Sequence, residues 1–501
     1  MSAQLASLLT WGLIFFLLVR DCRNAPKTQV GLWLPLTWIL ILGSRAPSYW
    51  FASDTSGMGV EAYEEGNALN QQVYLALITL GIIVLVRRSV DWGDILRRNR
   101  ALFAFLAYCV LSALWADYPL VTIKGTIKAM FGNIVMVLIV ITDPNPAEAI
   151  KALIRRCGFV LVPLSVLVIK YFPAIGRETH RWSYETMFQG VATGPNGLAA
   201  TCYICGLLVV ASLVQKGALH NKREFGLNLV MLVPIVWLLN KGDGATALLS
   251  MLVGISILVL IKRDRSRRIV SFVARNMGIA LVVVTPSLVL NYEWVMETVG
   301  TVVGHSETLW GRFELWKVLV GMSGNPILGM GYGNFWQGER MESLWAVYSW
   351  HPTQAHNGYL ETYLNLGFVG LTLLAVLIVS ASKKAASTAL RPELQFLKLP
   401  YLLPIVLYNL TEAAFRGLHI VWFAFLLFAL ETKLQMQDRK PDDEALVEPD
   451  RVSIPNRFHG RRVVTAQAVS TSFARRNREN PTANNPGHAP RHSRPRFSGR
   501  H

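Results

Sequence analysis

Residues 352–374 read PTQAHNGYLETYLNLGFVGLTLL, a stretch that begins with polar residues and ends as an apolar run. Pro352 suits the first turn of a helix, and neither Gly358 nor Gly367 is expected to interrupt so apolar a pattern. The stretch therefore predicts one helix whose first turns lie at a membrane face and whose remainder enters the bilayer.

His356 is the residue of this stretch that is best suited to chemistry. In the first turns of a helix, unpaired backbone N–H groups carry partial positive charge, which disfavours an imidazolium ion. A ring that is kept neutral in this way can act as a general base at neutral pH. The alternative is a histidine at the membrane interface that only forms hydrogen bonds with the backbone, and the sequence leaves both interpretations open.

Apolar runs recur along nearly the whole chain, and about 13 of them have the length and composition of a membrane span. They lie near residues 5–19, 30–43, 71–86, 101–115, 129–142, 158–171, 197–214, 226–240, 245–261, 277–291, 356–380, 398–410 and 418–430. The first run lacks the flanks of a signal peptide. The predicted fold class is an all-α polytopic membrane protein with about 12–13 transmembrane helices.

Lysine and arginine follow every second apolar run, which predicts that these connections face the cytoplasm. The outer connections are then residues 44–70, 116–128, 172–196, 241–244, 292–355 and 411–417. We predict a transmembrane domain at residues 1–431, with a large periplasmic loop at residues 292–355. Residues 432–501 are rich in Asn, Pro, Arg, Ser and His, which predicts a disordered, basic, cytoplasmic tail.

The formal net charge of +17 does not require a nucleic-acid partner. Basic residues in cytoplasmic connections and in the tail account for it, and the lipid bilayer supplies the anionic surface. Cys202 and Cys205 form a C-x-x-C inside an apolar run without a second pair. We therefore predict neither a metal site nor a redox pair there.

Two of the outer connections contain cations that suit an anionic ligand. Lys124 and Lys128 lie four residues apart and share one helix face, where two ammonium groups can bind a diphosphate or, equally, lipid head groups. Arg177 and Arg181 lie in RETHRWSYE, beside aromatic and amide groups that suit a sugar phosphate. A solvated loop is the alternative interpretation of the second connection.

The longest outer connection contains SETLWGRFELWKVLVGM at residues 306–322. Its apolar residues at helical spacing are Leu309, Phe313, Trp316 and Val320. This spacing predicts an amphipathic helix on the outer leaflet, with Arg312 at the flank of its apolar face. The following SGNPILGMGYGNFW is dense in glycine and aromatic residues, which can approach a sugar ring closely and stack on it.

These pieces, taken together, resemble a known family. GRFELWKVLVGMSGNPILGMGYGNFW followed by HPTQAHNGYLETYLNLGFVGLTLL resembles the signature of the O-antigen ligase and polysaccharide polymerase family, and looks closest to its exopolysaccharide polymerase branch. GSRAPSYW, SALWADYP and GATALLS also look like that branch. One departure is TGPNGLA, where Pro195 precedes Asn196 and the lysine that this branch often has is missing.

The resemblance implies a glycosyltransferase of the inner membrane that works at its periplasmic face without a metal, a cofactor or a sugar nucleotide. Such a protein takes an oligosaccharide from undecaprenyl diphosphate and passes it to a hydroxyl of an acceptor, here the growing glycan. Proteins of polysaccharide export and of chain-length control are candidate partners. The bilayer holds the enzyme and the lipid-linked substrate together.

The resemblance also assigns roles by position. Arg312 matches the family's loop arginine and His356 its histidine, so both are expected to be catalytic. Arg177 or Arg181 would match the family's earlier arginine. Substrate binding is further expected of Lys124, Lys128, Asn357, Tyr359 and Glu361.

Two other functions compete with a polymerase. A ligase of the same class would move finished glycan to lipid A core or to protein, and only the resemblance to the polymerase branch argues against it. A transporter of the same lipid-linked sugar would need ionisable residues deep within the spans and an internal repeat, and the sequence shows neither.

Overall fold

Apolar helices packed side by side form nearly all of the described chain. The computed structural model describes residues 2–24, 29–51, 67–179, 185–215, 218–242, 244–262, 268–274, 276, 307–387 and 392–436. Contacts divide the chain into Met1–Asp438 and Arg439–His501, and every described residue lies in the first unit. The apolar run predicted at residues 277–291 and nearly all of the predicted tail lie outside the described residues.

The elements are the following, in chain order. The first half contains α1 (Ala3–Asn24), α2 (Trp33–Leu42), α3 (Pro47–Phe51), α4 (Ala68–Arg87), α5 (Trp92–Arg98), α6 (Arg100–Leu111), α7 (Pro119–Gly125), α8 (Gly132–Ile141), α9 (Pro146–Tyr171) and α10 (Pro173–Gly176). An antiparallel hairpin follows, formed by β1 (Arg177–Thr179) and β2 (Thr186–Phe188). The second half contains α11 (Pro195–Val214), α12 (Lys222–Lys241), α13 (Ala245–Ile261), α14 (Glu307–Gly321), α15 (Gly338–Val347), α16 (Gly358–Ala385), α17 (Pro392–Tyr408) and α18 (Ile420–Ala429).

The predicted fold class is confirmed. Among the described residues, seven helices are long and apolar enough to cross a membrane, and four shorter apolar helices accompany them. Every predicted apolar run that falls on described residues overlaps one of the helices above. The chain is therefore an all-α polytopic membrane protein, and the small hairpin after α10 is a detail that the apolar pattern did not predict.

The helix that was predicted from residue 352 begins only at Gly358. Asn357 caps this helix, α16, because its side-chain oxygen accepts the backbone N–H groups of Tyr359 and Leu360. His356 therefore precedes the helix, and the prediction that it lies in the first turns is wrong. Its φ of 50° lies in the left-handed region, which few residues other than glycine adopt.

The same helix is interrupted at Gly367, where the sequence predicted continuity. Gly367 has a φ of 61°, and a Cβ atom at this position would lie 2.3 Å from the backbone oxygen of Ile327. Residues 326–331 of the long outer loop fill the break, and the N–H of Phe368 donates to the oxygen of Pro326. Backbone hydrogen bonds thus fix the loop to a membrane helix. The break requires glycine because the backbone of the loop lies where a Cβ atom would be and because φ is positive.

Contacts join the connections that were predicted to lie on the outer side. The guanidinium of Arg45 donates to the backbone oxygens of Ile175 and Ala192, which lie in a different outer connection. The hydroxyl oxygens of Thr246 and Thr411 are 2.7 Å apart. These loops therefore meet at one end of the helix bundle.

The connections that were predicted to be cytoplasmic meet one another at a second end. Asp21 lies 2.5 Å from the Nε atom of Arg155 and 2.7 Å from that of Arg156. Arg20 and Glu224 form a further ion pair at 2.7 Å. The bundle therefore has two ends, each with its own set of connections, as the alternation of basic residues requires.

The end of the described chain stays attached to the bundle. Residues 432–436 were assigned to the tail, yet Gln435 is fully buried and accepts a hydrogen bond from the Nζ atom of Lys398. The same ammonium group donates to the backbone oxygen of Leu430. These contacts extend the packed part of the chain a few residues beyond the predicted boundary.

The long outer loop has a small apolar core of its own. It is formed by Leu315, Leu319, Phe335, Trp336, Leu344, Ala355, Leu360 and Leu364. Within α14, Leu315 and Leu319 are fully buried, whereas Val320 of the predicted apolar face is 36% exposed. The predicted helix is present, and Trp316 of the predicted face packs on the loop core, but the buried face is shifted toward Leu315 and Leu319.

Candidate functional site

The loop between α17 and α18 carries Glu412 at the end of the bundle where the predicted outer connections meet. Asn409 shapes this loop, because its side-chain oxygen accepts the backbone N–H groups of Ala414 and Phe415. The N–H of Glu412 donates to the oxygen of Tyr408, the last residue of α17. These bonds hold Glu412 in place, and it is only 5% exposed.

Three side chains from distant parts of the chain meet at the carboxylate of Glu412. Its Oε1 atom lies 3.0 Å from Nη2 of Arg312 and 2.9 Å from Nδ2 of Asn196. Its Oε2 atom lies 3.5 Å from Nδ1 of His356. Arg312 is further fixed by a hydrogen bond of 2.5 Å to the backbone oxygen of Thr411. One loop glutamate thus brings together the two residues that were predicted to be catalytic.

The surroundings of Glu412 keep it ionised. Burial raises the pKa of its carboxyl, but the nearby ring of His356 and the charge of Arg312 outweigh burial and place the pKa below its ordinary value. Glu412 is therefore an anion at neutral pH.

The contact between His356 and Glu412 orients the imidazole. At 3.5 Å it is longer than a strong hydrogen bond, and it favours the tautomer with a proton on Nδ1, facing the carboxylate. In that tautomer Nε2 is the proton acceptor. The side chain of His356 is 19% exposed, so the ring is accessible from outside. A histidine held in this way by a carboxylate has the geometry of a general base.

Asn357 and Tyr359, which were expected to bind substrate, contribute to the structure of the loop. Asn357 caps α16 and also donates from Nδ2 to the backbone oxygen of Leu410. Tyr359 is 3% exposed, and its hydroxyl donates to the oxygen of Val406. Contact of either residue with substrate stays a prediction.

Glu361 is likewise engaged within the protein. Its Oε1 atom accepts from Nε1 of Trp336 at 2.7 Å, and its Oε2 atom accepts from the N–H of Ala355 at 2.9 Å. Nδ2 of Asn365 approaches Oε1 at 3.3 Å. The carboxylate therefore ties the segment before α16 to the glycine-rich loop, and its predicted contact with substrate stays a prediction.

The predicted cation sites lie apart from the Glu412 cluster. Lys124 is the exposed lysine of α7, and Lys128 lies in the π-helical turn that follows. Arg177 begins the hairpin after α10, and Arg181 lies outside the described residues. The contacts that the structure describes do not join Lys124, Lys128 or Arg177 to Glu412.

Sequence reasoning had named neither Glu412 nor Asn196 as a site residue. A signal for Glu412 was present, because the short outer connection 411–417 contains Glu412 and Arg416 between two apolar runs. Charges at the edge of a membrane are usually paired, so each of them needed a partner. Asn196 offered no such signal, since its partner lies 216 positions further along the chain.

The cluster combines a guanidinium group, an imidazole and an ionised carboxylate in a partly buried site. Arg312 can stabilise negative charge on a leaving group, and His356 can accept a proton from a hydroxyl. Among the described residues, no group of three or more His, Cys, Asp or Glu side chains is placed to hold a metal ion. These functional groups suit the transfer of a group from an anionic leaving group to a hydroxyl.

Comparison with known proteins bears directly on this site. Residues 226–375 match a family model described as O-antigen ligase, and this range includes Arg312 and His356. This match supports assignment of the chain to the O-antigen ligase and polymerase family. No curated protein and no solved structure matched the chain. Asn196 and Glu412 lie outside the matched range, so the cluster joins the matched range to the helices on either side of it.

Proposed function

We propose that this family member polymerises undecaprenyl-diphosphate-linked oligosaccharide repeat units into exopolysaccharide at the periplasmic face of the inner membrane. Family membership gives the coarse role, that of a membrane glycosyltransferase-like ligase or polymerase that uses lipid-linked glycans. The observation that supports the detailed proposal is the meeting of Arg312 and His356 at the carboxylate of Glu412.

In the proposed reaction, an acceptor hydroxyl attacks the anomeric carbon of the donor glycan. The bond from that carbon to the diphosphate oxygen breaks, and its electron pair leaves with undecaprenyl diphosphate. Nε2 of His356 takes the proton of the hydroxyl as the new glycosidic bond forms. Glu412 then faces an imidazolium ion, which the carboxylate stabilises more strongly than it stabilises the neutral ring.

Arg312 stabilises the leaving group in this reaction. A guanidinium has five N–H groups, and the contacts with Glu412 and Thr411 use two of them. The others are available for the diphosphate, whose negative charge increases as the bond to the sugar breaks. Glu412 acts as a positioning residue, because it contacts both reactive side chains and is itself buried.

The test is complementation of a strain that lacks the gene, using His356→Ala and Arg312→Ala. Arg20→Ala is the matched control, because Arg20 forms its ion pair with Glu224 at the other end of the bundle. Polysaccharide size on a gel and the lipid-linked pool are measured, with membrane levels checked by blot. We expect both site variants to lose polymer and to accumulate single lipid-linked repeats outside, while the control makes polymer.

The other candidate functions give different results in this experiment. A ligase defect leaves long lipid-linked glycan unattached instead of single repeats. A transport defect leaves the repeats on the cytoplasmic side. Normal polymer in both site variants would contradict the assignment of Arg312 and His356.

A further inference from the structure

Residues 348–357, between α15 and α16, form an irregular segment that side chains hold in place. Three of its backbone oxygens accept hydrogen bonds from elsewhere in the loops. The pairs are Trp345 Nε1 with Pro352 (3.0 Å), Arg416 Nη1 with Thr353 (3.2 Å) and Trp316 Nε1 with Ala355 (2.6 Å). The segment is neither helix nor strand, but these hydrogen bonds fix its backbone at Pro352, Thr353 and Ala355, just before His356.

This segment contains strained backbone. Among the described residues, His351 and His356 are the only residues other than glycine with a positive φ, at 52° and 50°. The ring of His351 stacks on that of Trp345, with the centroids 4.6 Å apart and the planes at 14°. Strained backbone persists where surrounding contacts enforce it, and such sites are concentrated at ligand-binding regions.

Trp350 directly precedes His351 and retains exposed surface. Its ring centroid is 6.2 Å from that of His356, and the residue is 37% exposed. The ring of Tyr348 packs against it edge-on, with centroids 6.0 Å apart. A large aromatic ring is thus held beside the imidazole of the candidate base, and part of its surface faces outward.

Two of the aromatic residues in the stretch that the sequence favoured for sugar stacking are buried. Phe335 and Trp336 are 0% and 4% exposed, because they belong to the apolar core of the loop. Exposed aromatic surface next to His356 is instead provided by Trp350. A pyranose ring presents a face of C–H groups, which packs well on the face of an indole ring.

We propose that Trp350 forms a glycan subsite in which the acceptor sugar stacks on the indole while its hydroxyl reaches His356. The inference rests on the proposed function, since it takes His356 as the base. The indole and the imidazole are neighbours, with centroids 6.2 Å apart, and His356 takes the proton of the acceptor hydroxyl, so we assign the stacked ring to the acceptor. The fixed backbone of residues 348–357 allows Trp350 to bind without first becoming ordered, which lowers the entropic cost.

The test uses the full-length protein in liposomes and, as probe, lipid-linked repeat units extracted from the strain that lacks the gene. Polymer yield is measured over a range of repeat concentrations for Trp350→Phe and Trp350→Leu. Phenylalanine keeps an aromatic face, whereas leucine keeps only apolar bulk. Trp92→Leu is the control, because Trp92 is 46% exposed on α5 and far from His356 in the fold.

We expect Trp350→Leu to raise the KM for the repeat about tenfold and to shorten the polymer, with Trp350→Phe and the control near wild type. A KM effect without an equal loss of kcat separates binding from a general defect of the fold. Equal KM values for the Leu and Phe variants would overturn the subsite. They would show that the aromatic face of Trp350 does not bind the sugar, and would assign the residue to the membrane interface. If wild-type protein makes no polymer, it is the proposed function that fails.

Discussion

The carboxylate of Glu412 couples three segments that lie far apart in the sequence. Arg312 approaches it from the long outer loop, Asn196 from the start of α11 and His356 from the segment before α16. Removing one partner of a buried charge pair leaves the other uncompensated, which costs more than the pair contributes. At the residue scale, the arrangement of the site therefore depends on the charge of Glu412.

Glu412→Gln should lower the rate of polymer formation about 100-fold, because an amide does not stabilise the imidazolium of His356 as a carboxylate does. The variant keeps the size of the side chain and one acceptor oxygen for Arg312. The initial rate in liposomes is the measurement, with Glu224→Gln as the control at the other end of the bundle. A rate within twofold of wild type would show that Glu412 does not position the base.

The lowered pKa of Glu412 also determines how the stability of the folded protein depends on pH. Since the folded protein holds the pKa of Glu412 below its ordinary value, the carboxylate contributes stability above the pKa of an unfolded glutamate. That contribution is lost as the pH falls through the lower pKa of the folded state. The difference in unfolding temperature between wild type and Glu412→Gln should be constant near neutral pH and shrink in acid. A difference that grows in acid would contradict the assigned direction of the shift.

The sequence predicted roles for Arg312 and His356 but not the carboxylate that the structure places between them. Each of the two residues lies in a short stretch of sequence that resembles the signature of the O-antigen ligase and polymerase family. Glu412 depends on the close approach of α17 to the loop around α14, and its contact with Arg312 spans 100 positions. Contacts of this kind follow from packing, so periodicity and local motifs do not reveal them.

At the scale of the element, the break in α16 fixes the long outer loop to the membrane helices. Gly367 permits the break because a Cβ atom there would meet the backbone of Ile327. The apolar pattern of the helix predicted its membrane span correctly. The apolar pattern did not predict the break, because a glycine in so apolar a run is also compatible with an uninterrupted helix. The break depends on a second segment, residues 326–331, which is distant in the sequence.

Gly367→Ala should destabilise the protein by about 3 kcal/mol, because alanine must adopt a left-handed conformation and also displace the inserted loop. The loss of folded protein is measured as unfolding temperature in detergent, together with the membrane level. Gly311→Ala is the control, since no atom lies within 4 Å of a Cβ atom at that helical position. Equal stability of the two variants would show that the inserted loop does not depend on the break.

At the scale of the whole molecule, the alternation of basic connections matches the two ends of the bundle. The outer connections contact one another through Arg45 and Thr411, and the basic connections contact one another through Asp21. Hydropathy and charge predict such an arrangement because span length and positive charge are properties of local sequence. The packing of the loops at each end depends on side chains that are distant in sequence.

The predicted orientation can be measured with single cysteines. In a Cys22→Ser background, which leaves the four buried cysteines, Ala346→Cys and Ser89→Cys place one exposed thiol at each end. A membrane-impermeant maleimide should label Ala346→Cys in spheroplasts and label Ser89→Cys only after lysis. The reverse pattern would place the Glu412 cluster at the cytoplasmic face and would contradict the proposed use of periplasmic substrate.

The central claim is that the site at Glu412 transfers glycan from a lipid diphosphate, and the most direct test is reconstitution. Purified wild-type protein, His356→Ala and Arg20→Ala are placed in liposomes with lipid-linked repeats extracted from the strain that lacks the gene. Release of undecaprenyl diphosphate and glycan size are followed together. We expect wild type and Arg20→Ala to release the lipid and to lengthen the glycan, and His356→Ala to do neither. Polymer formation by His356→Ala at the wild-type rate would contradict the account.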